Sequence, residues 1–365
     1  MSVWVVVGGQ FGSEGKGKIS AIITLQEDID ICIRCGGPNS GHSFQKQDGS
    51  MVLLRQLPTG FVRPQTRLFI PAGGLVDLDV LRAEIEELGL DDRRVGVDRN
   101  AMVITPEDRE RERVLTMRER LSSTLCGVGS AVARRALRTA DVELAASAAI
   151  KEPWLRPLLT DVASEANAAV DQGKKILVEG TQGAGLSLYH SCHYPKATSR
   201  DTNAAGFVSE VGVSPRLVSE IVLVFRTFPI RVAGEQAGPL LGEISWEQLQ
   251  KESRSPMPLN EYTSVTRTLR RVGRFDTPAA ATAASLNRPT RLAVNFLDYI
   301  DYRNRGLTDW RLLTSSATRF VERVERACGA PATYLGTGAH LTDCIMRDGS
   351  FETPTVPGCL LSAGL

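Results

Sequence analysis

The chain has almost no net charge, few aromatic residues, no long apolar run and no paired cysteine framework. Its 43 basic and 42 acidic side chains leave a formal charge of +1 over 365 residues. No global field recruits nucleic acid or an anionic membrane, so neither is expected as a partner. Local arginine clusters remain able to hold small anions. The apolar run Val3-Trp4-Val5-Val6-Val7 falls far short of the roughly 20 residues that span a bilayer. The seven cysteines (Cys32, Cys35, Cys126, Cys192, Cys328, Cys344 and Cys359) are odd in number and scattered, unlike a disulfide scaffold. No secretory signal opens the chain, and a cytoplasmic location is expected. Cys32 and Cys35 form C-x-x-C at the end of an apolar stretch with no second pair nearby. This reads as buried strand thiols in preference to a metal or redox site. Repeats, low-complexity tracts and Gly/Ser linkers are also missing. Length alone allows two domains, but these absences favour one large α/β domain over residues 1–365, with a helical insertion at about 105–170.

What is present is patterned. Val3–Val7 reads as a buried parallel strand, followed by a loop from Gly8 to Gly17 with five glycines and a helix over Lys18–Leu25. Ile29–Arg34 reads as a second strand, ended by Gly36-Gly37-Pro38. Strand, crossover and strand at this spacing imply a mostly parallel central sheet flanked by helices, as in P-loop nucleotide-binding folds. Glu107–Leu121 and Glu143–Ala169 have helical character. Lys174–Glu179, Ile221–Phe225 and Arg291–Phe296 read as further strands.

Within the glycine loop, Gly12-Ser13-Glu14-Gly15-Lys16-Gly17-Lys18 satisfies G-x-x-x-x-G-K between a strand and a helix. Backbone amides and the helix N-terminus suit phosphate there, and the lysines supply point charges. Ile19 stands where the usual loop has Ser or Thr for Mg²⁺. A plain glycine turn is the alternative reading, disfavoured by two lysines in the correct context.

The segment Gln10-Phe11-Gly12-Ser13-Glu14-Gly15-Lys16-Gly17-Lys18 resembles the signature of the adenylosuccinate synthetase family, in which an Asp normally stands at the place of Ser13. Gly36-Gly37-Pro38-Asn39-Ser40-Gly41-His42-Ser43 resembles that family's second glycine loop. Leu57-Pro58-Thr59-Gly60, Val178-Glu179-Gly180-Thr181-Gln182-Gly183, and Tyr194-Pro195 with Thr198-Ser199 match further segments in order. The resemblance runs from residue 3 to about 345.

It implies a two-step ligase. The purine 6-oxygen attacks the γ-phosphate of ATP or GTP, and the amine of L-aspartate displaces the resulting 6-phosphoryl group. Catalysis of this kind is mostly positioning and charge stabilisation. By resemblance His42 hydrogen-bonds the phosphoryl group in flight, with Lys16, Gln182 and position 13 completing the catalytic set. Gly12, Glu14, Gly15, Lys16, Gly17, Lys18, Gly41 and His42 would hold the triphosphate, and Ser13 and the Gly41 carbonyl the Mg²⁺. Asn39, Thr124, Gln182 and Thr198 match acceptor-nucleotide positions. Thr124 sits in a small-residue loop suited to a 5′-phosphate. Arg134 corresponds to an arginine that reaches this phosphate across a two-fold axis, which implies a homodimer; a solvated helix arginine is the alternative. Thr266 and Arg270, within Thr263 to Arg271, match the loop that closes over aspartate. Asn295-Phe296-Leu297-Asp298 and Gly336-Thr337-Gly338 match the base pocket of the triphosphate. There Asp298 suits guanine, although Phe296 replaces an expected Lys, so the donor stays open between ATP and GTP.

Ser13 is the departure with the most chemistry in it. A serine hydroxyl cannot act as a general base near pH 7 without a partner. It also leaves room beside the purine for a 2-amino group, which IMP lacks. Thr268 and Cys126 replace further arginines of the family, and losing a ribose partner suits a deoxyribose. These features resemble the phage-type enzymes that act on dGMP, which would place the chain in a host cytoplasm. Two alternatives stand beside this expectation: an ordinary synthetase acting on IMP with GTP, with Glu14 or a water covering for the missing Asp, and a non-catalytic nucleotide-binding protein.

Overall fold

Every residue of the first strand is buried, and alternate side chains enter different cores. Val3, Val5 and Val7 pack with Phe207, Phe225 and Leu292 on one face. Trp4 and Val6 pack with Ile19, Ile23 and Val224 on the other. A strand covered on both sides is apolar at every position, which is the mark of a parallel sheet between helices.

The structure, a computed structural model, describes residues 3–46, 48–263 and 267–347. Ten strands form one sheet: β1 (Val3–Gly8), β2 (Ile31–Arg34), β3 (Arg67–Ile70), β4 (Val95–Asp98), β5 (Leu159–Thr160), β6 (Ile176–Glu179), β7 (Val218–Arg226), β8 (Arg291–Asn295), β9 (Ala332–Gly336) and β10 (Cys344–Met346). Their spatial order is β10-β9-β8-β7-β1-β6-β2-β3-β4-β5. All neighbours are parallel except β9 and β10. The α/β class and mostly parallel sheet expected from the sequence are present. Because the strands run one way, the C-terminal ends of β1, β2, β6, β7 and β8 meet at one edge, where ligands bind in open α/β sheets.

Helix α1 (Lys16–Gln26) starts where the glycine loop ends, with Gly15 at φ 88° as its cap. A side chain at Gly15 would be strained at that φ and would also come within 2.6 Å of the Asn295 amide. Gly17 has a different reason. Its bare Cα lets the hairpin His42–Gln45/Met51–Leu54 lie on the helix start, since a Cβ there would sit 2.7 Å from that of His42.

Two expected helices are broken. Glu107–Leu121 is α2 (Pro106–Val114) and α3 (Met117–Leu121), separated at Thr116 with φ 50°. The stretch Glu143–Ala169 is interrupted by a 3₁₀ turn at Pro153–Leu158 and by β5, then resumes as Val162–Asp171. Proline has no amide hydrogen to continue the helix, so Pro153 and Pro157 account for the break. No described helix is long and apolar enough to cross a membrane.

Candidate active site

A single cavity at the C-terminal strand edge gathers most of the expected residues. Gly12, Ser13, Lys16, Asn39, Gly41, His42, Thr124, Gln182, Thr198 and Arg270 all line it. Thr266 lies outside the described residues.

His42 is oriented by a buried carboxylate. Glu179 ends β6 directly opposite Arg34 at the end of β2, so the strand register alone places the two together. Glu179 Oε1 meets His42 Nδ1 at 2.5 Å and accepts from Arg34 at 3.0 Å. Its other oxygen accepts from the Thr59 amide at 2.9 Å and the Thr59 hydroxyl at 2.7 Å. Burial pushes the Glu179 carboxyl up, but His42, Arg34 and Thr59 outweigh this and hold it below its ordinary value. For His42, burial and then Arg34 dominate the opposing pull of Glu179, and its pKa falls to about 4. At pH 7 the cluster is one carboxylate against one guanidinium, with a neutral imidazole. Its Nδ1–H is fixed on Glu179, leaving Nε2 for a ligand.

This has a testable consequence for the ligand-free protein. A histidine with pKa about 4 when folded and about 6.5 when unfolded takes up its proton preferentially in the unfolded chain. Stability should therefore fall as pH drops from 6.5 towards 4, by up to about 3 kcal/mol from this group. Urea melts at pH 7 and pH 5 check it; the His42→Asn variant should lose less over that interval than the parent protein, and an equal loss would sink the assignment.

The glycine loop is shaped from within. Glu14 is fully buried and accepts from the amides of Gln10 at 3.1 Å and Gly12 at 2.8 Å, while its second oxygen holds Lys16 at 2.5 Å. Glu14 thus turns two loop amides away from the cavity. Lys16 also donates to the Gln182 carbonyl. Lys18 departs from expectation. It points to the carbonyls of Gly338 at 2.8 Å and Asp343 at 2.6 Å, bracing the wall near Asp298 in place of facing the loop. Asp298 has a buried oxygen without a partner, and burial lifts its pKa to about 6. Neither it nor Gly336 lines the cavity of Ser13 and His42.

Arg134 is also placed differently from the reading of an outward-reaching arginine. On α4 (Val128–Leu137), it makes a two-pronged pair with Asp108 of α2, at 2.8 and 2.6 Å, and donates to the Asp141 carbonyl at 2.5 Å. It is 3% exposed and does not line the cavity. A planar guanidinium matched to a carboxylate inside its own chain has little reason to extend elsewhere. The loop before α4 holds a related surprise: the amides of Gly127 and Gly129 donate to Glu112, at 2.9 and 2.8 Å.

Ser13, at φ 59°, accepts from Arg270 through its hydroxyl at 2.7 Å and from Arg226 through its carbonyl at 3.1 Å. A hydroxyl already facing a guanidinium is a poor ligand for a divalent cation. The Gly41 carbonyl, in the same cavity lining, is an oxygen donor of the hard kind that Mg²⁺ takes. Sequence reasoning missed the roles of Arg34, Thr59, Arg226 and Glu261. For Arg34 the available signal was a charge closing an apolar strand, since a buried charge calls for a partner.

The family model described as adenylosuccinate synthetase matches residues 5–149 and 140–305. The adenylosuccinate synthetase of Thermococcus onnurineus is 41% identical over 351 residues, covering 95% of this chain and 99% of the relative. The chain belongs to the adenylosuccinate synthetase family. The Pyrococcus horikoshii adenylosuccinate synthetase is 40% identical, covering 94% of this chain and 98% of its own. As a member of the adenylosuccinate synthetase family the protein is a C–N ligase that joins aspartate to a purine nucleotide, which sets aside the non-catalytic reading. Among solved structures, the cyanophage S-2L succinoaminodeoxyadenylate synthetase, bound to dGMP and to dATP as an energy donor, superposes with TM-score 0.81 at 27% identity. It covers 97% of this chain and 96% of its own. The Plasmodium falciparum adenylosuccinate synthetase has TM-score 0.82 at 20% identity, covering 95% and 100%, and shares the fold.

Proposed function

We propose that this ligase takes dGMP as acceptor and joins L-aspartate to its 6-position, giving 2-amino-2′-deoxyadenylosuccinate 5′-monophosphate. The observation that carries the reading is the small, uncharged Ser13 at a cavity whose described lining offers no free carboxylate. Ser13 offers only a hydroxyl, and Glu14, the neighbouring substitute for the missing Asp, is fully buried with both oxygens on the loop amides and Lys16. Glu112, the one carboxylate among the lining residues, is consumed by the amides of Gly127 and Gly129. N1 of dGMP carries the same proton as N1 of IMP, and it passes to water or to substrate aspartate; what favours dGMP is the small, uncharged Ser13, which leaves space for the 2-amino group. The likeness to the cyanophage enzyme bound to dGMP supports the same acceptor.

In this reading Asn39, Thr124, Gln182 and Thr198 hold the acceptor. Lys16, keeping its pair with Glu14, gives its remaining N–H to the phosphates of ATP or GTP, and the Gly41 carbonyl would help to hold Mg²⁺, which would supply charge neutralisation there. The arriving negative charge raises the His42 pKa, so that imidazolium, flanked by Glu179, donates through Nε2 to the transferred phosphoryl group. Arg270 turns from Ser13 to the aspartate carboxylate, and the amine displaces phosphate from the purine. A homodimer is implied by the family resemblance, although Arg134 is paired within its own chain.

The second reading, IMP with GTP, is favoured by the names of the relatives about 40% identical to this chain. Phosphate release with Mg²⁺, aspartate and ATP or GTP separates the two, with dGMP, GMP and IMP as acceptors and mass spectrometry on the products. Turnover with dGMP about tenfold or more above that with IMP is expected. Turnover with IMP alone would return the enzyme to ordinary purine synthesis.

A further inference from the structure

Arg226 ends β7, is fully buried and does not line the cavity, yet three separate segments close on it. From the glycine loop, the Ser13 carbonyl accepts from its guanidinium at 3.1 Å, and the Gln10 side chain bonds its backbone amide and carbonyl, each at 3.0 Å. From the segment leading to Arg270, Glu261 takes both terminal nitrogens of the guanidinium in a forked pair, one contact at 3.1 Å. From the segment before Asp298, the Phe296 ring lies over the guanidinium at 4.1 Å. Glu261 extends the circuit. Its carboxylate accepts from the Tyr299 hydroxyl at 3.2 Å, and its backbone carbonyl from the Arg270 amide at 2.8 Å. Arg270 then returns to the Ser13 hydroxyl at 2.7 Å.

We propose that the Arg226–Glu261 pair is a positioning device that sets the backbone of Ser13 and Arg270 and the ring of Phe296 in one relation, from which the Arg270 side chain swings to its ligand, so that binding on the amino-acid side depends on how the glycine loop is held. The inference rests on the ligase activity of the family and on Arg270 as the aspartate-side arginine, not on which purine is the acceptor.

Three facts separate this from ordinary core packing. The guanidinium is forked to one carboxylate, the geometry that fixes direction as well as distance. Its Nε has no partner, so desolvation is tolerated there for the sake of the remaining contacts. And the pair joins residues 35 positions apart, one ending β7 and the other in the segment leading to Arg270.

The test uses Arg226→Lys, which keeps the charge but loses the fork, with Glu261→Gln as the second variant. The acceptor is whichever of dGMP and IMP the parent enzyme turns over, so a failure of the dGMP reading appears before any variant is made. In each folded variant, KM for aspartate should rise by about tenfold or more while kcat at saturation changes by less than about threefold. The double variant should be no worse than the poorer single one. An unchanged aspartate KM in a folded variant overturns the proposal, as does a fall in kcat with every KM intact. Should Arg226→Lys fail to fold, Glu261→Gln decides by the same split.

Discussion

Replacing Ser13 with aspartate should move the enzyme towards IMP. A carboxylate at this place supplies the general base that the cavity otherwise lacks, a contribution worth typically 10²–10⁴-fold. The cavity carries Lys16, Arg231 and Arg270, so the new charge does not go uncompensated. Arg270, now 2.7 Å from the Ser13 hydroxyl, can pair with it. The same change adds two heavy atoms where the 2-amino group of guanine would lie. We expect kcat/KM for IMP to rise by about 100-fold, or about 2.7 kcal/mol in the transition state, and that for dGMP to fall, because crowding of its 2-amino group outweighs the base that its N1 gains as well. Steady-state kinetics on the parent and Ser13→Asp with both acceptors reads this directly. A folded Ser13→Asp enzyme with its preference unchanged would remove Ser13 as the specificity residue.

The second large effect belongs to His42 and Glu179. If His42 donates to the phosphoryl group, His42→Asn should lower kcat by about 10²–10⁴-fold with little change in any KM. Glu179→Gln should lower kcat by a similar factor, because the imidazole loses both its fixed tautomer and its counter-charge. The two differ in stability. Glu179→Gln strips Arg34, itself 2% exposed, of its anion. Breaking a buried pair in this way costs about 3–5 kcal/mol. His42→Asn leaves that pair intact and should melt near the parent protein at pH 7. The double variant should be no slower than the slower single one, since residues acting as one unit do not add. Multiplicative losses would show that Glu179 acts elsewhere.

The parts legible in the sequence were those with local causes. Val3–Val7 announced itself because every position is apolar, and the glycine loop because its lysines and glycines stand between a strand and a helix. Strand β5 is only two residues, too short to show a period, while Arg67 opens β3 and Gly96 and Asp98 interrupt the apolar run of β4. Their partners in the sheet, not their own residues, make them strands. The break at Thr116 is written in a backbone angle that threonine rarely adopts, with no glycine to signal it. In the site, His42, Gln182, Thr198 and Arg270 converged because motif and family resemblance located them. Arg134 went astray because its partner Asp108 lies 26 residues away. Arg226 was missed for a similar reason: nothing near it in sequence tells of Glu261 or Phe296.

Glu112 carries a lesson for anyone designing an acceptor analogue. The start of α4 looks like an anion hole, but two of its amides, those of Gly127 and Gly129, are already taken by a carboxylate of the same chain. A sulfonate or carboxylate built towards that corner would meet like charge and gain nothing from the helix. The better warhead there is a neutral or cationic hydrogen-bond donor, able to share Glu112 with the two amides.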